Sequence, residues 1–134
     1  MHILLDTHIP IWALYDSPKL TGKARDLILN PRNQLYVSSI SIWEVGLKHQ
    51  SNPEGIPLDA VSFANACDLA GYHSLELDSK AVLQAFELDT AQAANIHKDP
   101  FDRMLIGQAK SENMLLLTHD NKLRLYNEPL VCLV

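Results

Sequence analysis

The sequence is poor in the features that mark several protein classes. It has only two cysteines, Cys67 and Cys132, which lie far apart and fit neither a redox pair nor a zinc knuckle. Both read as small buried hydrophobes of a chain in a reducing cytoplasm. No stretch approaches the roughly 18 consecutive apolar residues of a membrane span, so no membrane association is expected. The opening Met1-His2-Ile3-Leu4-Leu5-Asp6 lacks the basic and apolar regions of an export signal. Positive charge is not in excess either: the net charge is −5, which argues against nucleic-acid binding through a broad basic surface. An acidic balance does not exclude a nuclease. Clustered carboxylates that hold divalent cations make the metal-free protein acidic, and the cation restores positive charge where phosphate binds.

At 134 residues, 47% hydrophobic and 20% charged, the chain fits one globular domain spanning 1–134 with one core. Short apolar runs alternate with longer helical periods. Ile3–Leu5, Leu35–Val37, Tyr72–Leu77, Met114–Leu117 and Leu130–Val134 have the length of strands buried on both faces. Helices are expected over Pro10–Tyr15, Thr21–Leu29 with Thr21 at the N-cap, Ser41–His49, Leu58–Ala70 closed by Gly71, Ser79–Leu88, and Pro100–Glu112 behind an Asp99 cap. Strands separated by helices imply an α/β fold, a three-layer α/β/α sandwich around a mostly parallel sheet.

Open parallel sheets place sites beyond the carboxyl ends of their strands. Asp6 follows the first strand and Asp120 the fourth, and each has a structural alternative, as a helix cap or a turn residue. Glu44 has two competing readings. Ser41-Ile42-Trp43-Glu44 fits a capping box, yet a Glu on the first turn after the second strand can also face Asp6 across the sheet edge. Asp99 can cap its helix and Asp102 can complement the helix dipole. The two also face nearly the same way and repel unless a cation lies between them. Mg²⁺ and Mn²⁺ favour such oxygen ligands, and phosphodiester hydrolysis needs an activated water and charge neutralisation at phosphorus.

These residues resemble the PIN-domain family, and within it the VapC-type toxins of bacterial toxin–antitoxin pairs. The matching blocks are Leu4-Leu5-Asp6-Thr7-His8 with Trp12, Ser38 to Val45, His97 to Ala109, and Leu117-Thr118-His119-Asp120. They occur in the family's order along nearly the whole chain. The resemblance implies a compact α/β/α sandwich and a cytoplasmic endoribonuclease using Mg²⁺ or Mn²⁺. Its four acids match Asp6, Glu44, Asp102 and Asp120, while Asp99 belongs to a subgroup's His-x-Asp-Pro-Phe-Asp-Arg pattern and stands as a further metal-ligand candidate. It also implies an RNA substrate, a homodimer and a small antitoxin partner. Gly107 departs from the pattern, since Ala is common at that point of the helix, and the expected consequence is confined to packing.

Other readings are weaker. His2, His8, His49, His73, His97 and His119 form no His-Glu-x-x-His and have no cysteine at ligand spacing, which disfavours zinc. His8 and His119 lie beside acids and are read as phosphate contacts or plain surface residues. Trp12 and Trp43 read as core or dimer residues rather than base-stacking platforms. An aspartyl-phosphate phosphatase would need a second acid two positions after Asp6, where His8 stands; a receiver domain would need an acid pair ahead of the first helix. A non-catalytic α/β binding module would require all the acids to be caps.

Overall fold

The computed structural model describes residues 1–94, 96 and 99–134. Its sheet has five strands: β1 (His2–Leu5), β2 (Gln34–Ser38), β3 (His73–Leu75), β4 (Leu115–Thr118) and β5 (Val131–Leu133). Their order is β3-β2-β1-β4-β5 and every pairing is parallel. The chain therefore builds outward from β1 on one side, then returns to build on the other. That reversal makes the β1/β4 junction the switch point, where an open parallel sheet leaves a crevice at its carboxyl edge.

Side chains alternate across the strands and feed two cores. Ile3, Leu5, Leu35, Val37 and Leu117 face one layer with Ile9, Ala24, Val45 and Phe63. Leu4 and Leu116 face the other, with Leu105, Ile106, Ala109, Leu123 and Tyr126. The first layer carries α1 (His8–Leu14), α2 (Gly22–Leu29) and α4 (Ala60–Leu69), whereas α6 (Pro100–Ser111) supplies the second and α5 (Ser79–Phe86) packs against α6. Helix α3 (Ser39–Ser51) reaches both, placing Val45 in one core and Ile40 against the other. The three-layer α/β/α architecture is thus present, with an all-parallel sheet.

Several caps match the sequence reading. Thr21 accepts from the Ala24 N–H, and Asp99 accepts from the N–H groups of Phe101 and Asp102 with Pro100 at the first helical position. Gly71 takes φ +84° just past α4, a conformation a β-carbon disfavours. The largest correction concerns α3. Its cap is Ser38, not Ser41: Ser38 is extended (φ −77°, ψ 148°) and accepts from the Ile40 N–H, so the helix begins two residues earlier. The capping box is therefore absent, and Glu44 lies within the second turn. Helix α4 starts at Ala60 because Asp59 caps it through the Ser62 N–H, and β3 is shorter than Tyr72–Leu77. A 3-10 helix over Asn121–Tyr126, absent from the sequence reading, follows β4 and buries Leu123 and Tyr126, three residues apart. Cys67 is buried as expected, whereas Cys132, on edge strand β5, is only half-buried. Trp12 packs against the first core, but Trp43 is 60% exposed and belongs to no core.

Helices α5 and α6 approach each other closely at Gly107. A β-carbon there would meet Ala85 Cβ at 2.8 Å and the Ala81 carbonyl oxygen at 2.9 Å. The departure from Ala at this position is what lets α6 lie against α5.

Candidate active site

Backbone register sets the first acid. Leu5 pairs with Leu117, and the Asp6 N–H donates to the Leu117 carbonyl at 3.0 Å, which brings Asp6 level with Thr118. Asp6 is 6% exposed, and two donors hold its carboxylate: the Thr7 N–H reaches Oδ1 at 2.7 Å and the Thr118 hydroxyl reaches Oδ2 at 2.7 Å. It does not cap α1 in the ordinary way, since the capping position is Thr7 and its side chain makes no capping bond. Burial raises the Asp6 pKa above the ordinary carboxylate value; the Thr118 and Thr7 hydrogen bonds and His8 oppose that rise, and the Glu44 charge adds to it.

Glu44 comes to the same place from α3. It is 2% exposed, accepts the Thr7 hydroxyl on Oε1 at 2.7 Å and pairs through Oε2 with Lys48 Nζ, one turn further on, at 2.5 Å. A hydroxyl has one proton, so Thr7, spending its own on Glu44, accepts from Ser41 at 2.9 Å. Ser41, read from sequence as a helix cap, instead orients Thr7. For Lys48, burial lowers the pKa, but the hydrogen bond and charge of Glu44, joined by the charges of Asp99 and Asp102, outweigh it and the net shift is upward.

Helix α6 delivers Asp99 and Asp102. Asp99 caps the helix and also lines the cavity. Asp102 is buried and its pKa is pushed up to about 8, first by desolvation and then by the charges of Asp6, Asp99, Glu44 and Asp120. Asp120, half-buried, caps the 3-10 helix through the Lys122 N–H and also lines the cavity. Arg103 points away: its Nε donates to the Ala85 carbonyl and its guanidinium lies 5.1 Å over the Phe86 ring.

Asp6, Glu44, Asp99, Asp102 and Asp120 thus line a single cavity of about 200 Å³ with Lys48, His8, Trp12 and His119. Lys48 was not among the residues expected here; its spacing of four from Glu44 is a helical pairing too common to single it out. His8 and His119 are exposed at the mouth, where they flank Trp12 at ring-centroid distances of 5.8 and 5.5 Å. His97 lies outside the described residues.

The donor set fits a hard cation. It is made of carboxylate oxygens, and the Asp102 pKa is pushed up first by burial and then by the charges of its acidic neighbours, a repulsion that a divalent cation relieves. Among the described residues no three His, Cys, Asp or Glu side chains are gathered so that they alone could hold a metal ion. Mg²⁺ does not demand such a cage, because it keeps several waters and takes one or two carboxylates together with substrate phosphates.

A parallel α/β/α sandwich with an acid-lined cavity at its switch point defines the class. The chain belongs to the PIN domain family, whose model matches residues 3–129, a family of nucleases in general. The fold is that of solved VapBC structures. The chain is similar to one in the Rickettsia felis VapBC2 complex bound to a promoter DNA fragment, at 20% identity and a TM-score of 0.68, covering 100% of this chain and 98% of that one. It is also similar to one in VapBC-1 of nontypeable Haemophilus influenzae, at 20% identity and a TM-score of 0.65, covering 95% and 93%. A third similar chain is in DNA-bound VapBC from Salmonella typhimurium, at 19% identity and a TM-score of 0.65, covering 100% and 97%. No curated protein sequence matches the chain. Among the described residues no helix is long and apolar enough to cross a membrane.

Proposed function

We propose that this chain is a metal-dependent endoribonuclease that acts as the toxin of a toxin–antitoxin pair. The observation that carries the reading is the convergence of Asp6, Glu44, Asp99, Asp102 and Asp120 on one cavity at the β1/β4 switch point. Acids that served only as caps would not bring five carboxyl groups to one cavity, and the upward shift of Asp102 supports a cation site. Asp6 and Asp102 are the residues that would hold Mg²⁺ or Mn²⁺, with Asp99 and Asp120 at the rim. When bound, such a cation supplies positive charge at the scissile phosphate and makes water acidic enough to attack near neutral pH.

The chain's own groups do the positioning. Thr118 and the Thr7 N–H fix both oxygens of Asp6, so its carboxylate needs little reorganisation. Cap geometry fixes Asp99 and Asp120 to rigid helix starts. Lys48 adds a cation beside the phosphate path, and the exposed His8 and His119 stand where the RNA enters.

The toxin role is supported by membership in the PIN domain family and by the likeness to chains found in VapBC complexes. A protein antitoxin is the matching partner. The apolar side chains exposed on α3, α4 and α5, among them Trp43, Val61, Leu83 and Phe86, supply surface for that partner and for a second copy in a homodimer. Purified protein should cleave single-stranded RNA with Mg²⁺ or Mn²⁺ and not in chelator, and its expression should arrest growth unless the neighbouring small reading frame is co-expressed. Asp6→Asn should abolish both cleavage and arrest while keeping the fold. Cleavage by Asp6→Asn at the wild-type rate would refute the assignment.

A further inference from the structure

Glu44 matches the family's second acid, yet both of its oxygens are already engaged. Oε1 accepts the Thr7 hydroxyl at 2.7 Å and Oε2 accepts Lys48 Nζ at 2.5 Å. A divalent cation at Glu44 would have to share with an ammonium ion a carboxylate that is 2% exposed. Lys48 is the only lysine or arginine among the described residues lining the cavity, and its side chain is 41% exposed, open to a ligand. An ammonium offers three donors. Among the described residues Lys48 makes one hydrogen bond, to Glu44, which leaves two for an incoming group. Four other acids line that cavity, and Lys48 is the fixed positive charge that the described lining offers an RNA phosphate.

We propose that Lys48 is a substrate-binding residue whose ammonium grips a non-bridging oxygen of the RNA phosphate, and that Glu44 is the positioning residue that holds it there rather than a metal ligand. The inference rests on the ribonuclease reading above. An exposed helical pair i to i+4 ordinarily contributes little. Here the acid is buried and tied to Thr7, so the lysine is fixed in direction. Lysine is a point-charge phosphate binder with freely rotating donors, suited to an oxygen whose approach is set by other groups.

The test combines Mn²⁺ titration of the metal-free protein by calorimetry with steady-state kinetics on a short single-stranded RNA, at several salt concentrations. The variants are Lys48→Gln, Lys48→Arg and Glu44→Gln, with Asp6→Asn as the metal-site reference. Lys48→Gln and Glu44→Gln should keep Mn²⁺ affinity within about threefold of wild type, whereas Asp6→Asn should lose it. KM should rise about tenfold or more in Lys48→Gln, the size of one charge-assisted hydrogen bond, with kcat falling less. The slope of log(kcat/KM) against log salt should shrink by about 0.7, one phosphate contact to a single strand. Lys48→Arg should restore most of the KM, and it decides the matter if Lys48→Gln does not fold. Loss of Mn²⁺ binding in Glu44→Gln as severe as in Asp6→Asn would overturn the proposal, as would an unchanged KM and salt slope in Lys48→Gln or a KM in Lys48→Arg as high as in Lys48→Gln. A wild-type protein that neither binds Mn²⁺ nor cleaves RNA would overturn the ribonuclease reading and this inference with it.

Discussion

Asp102 makes the stability of the metal-free protein depend on pH in a direction opposite to that of most carboxylates. Its pKa is pushed up from 3.8 to about 8 by burial and by four acidic neighbours. Between those values the unfolded chain has released the proton while the native protein keeps it. The unfolded state then binds fewer protons, so stability falls as pH rises; the contribution is fully present below about 3.8 and gone above about 8. One proton over about two pH units, from about 5.5 to about 7.5, corresponds to about 3 kcal/mol at 1.36 kcal/mol per unit. For a domain of this size that is a drop in melting temperature on the order of 10 °C. The assay is thermal unfolding in chelator across this range, with Asp102→Asn as the control. The amide keeps the shape and cannot ionise, so the variant should lose most of the slope and melt above wild type at the upper pH. A smaller slope of the same sign should persist, since burial raises Asp6 too. Mg²⁺ at about a hundred times its dissociation constant should recover about 2.7 kcal/mol in wild type at the upper pH. Equal melting temperatures for metal-free wild type at both ends of the range would refute the account of a strained acid cluster.

Two further predictions concern the frame around the site. Gly107→Ala should destabilise by about 1–3 kcal/mol in denaturant unfolding, because the new methyl meets Ala85 and the Ala81 carbonyl inside 3 Å. Ser38→Ala removes both the α3 cap and the buried hydrogen bond that Ser38 donates to Gln108 Oε1, and should cost about 1–3 kcal/mol by the same measurement.

The fold class was legible because the apolar runs and helical periods obey local rules. Ile3–Leu5 and Leu115–Leu117 are uninterrupted and buried on both faces, and Asp99-Pro100 announces a helix start by its own chemistry. Strand order was not legible: nothing local says that β4, rather than β2 alone, lies beside β1, since that choice is made by two-sided burial of Leu4 and Leu5 against distant partners. The acids were legible as positions after strands and on first turns, but their roles were not. Glu44 reads equally as cap or site residue until Ser38 is seen to take the cap, which frees Glu44 to meet Thr7 and Lys48. Lys48 escaped notice because a lysine four residues after a glutamate is ordinary on any helix; only the burial of its partner sets it apart. For Trp43 the core half of its reading was not legible for a related reason, since periodicity beside Ile42 and Val45 does not tell which flank of the stripe meets the core.

The hydrogen bond from Thr118 to Asp6 joins residues 112 positions apart, and β1 and β4 lie side by side at the centre of the sheet. During synthesis, β1 therefore waits with one edge uncovered until β4 has left the ribosome. At about 5–20 residues per second that wait lasts several seconds or more. The acidic cavity has no closed form before then: Asp6 lacks its Thr118 donor, and Asp102 and Asp120 are not yet in place beside it. A partially made chain consequently lacks this cavity, and the exposed edge of β1 is the surface it offers for mispairing.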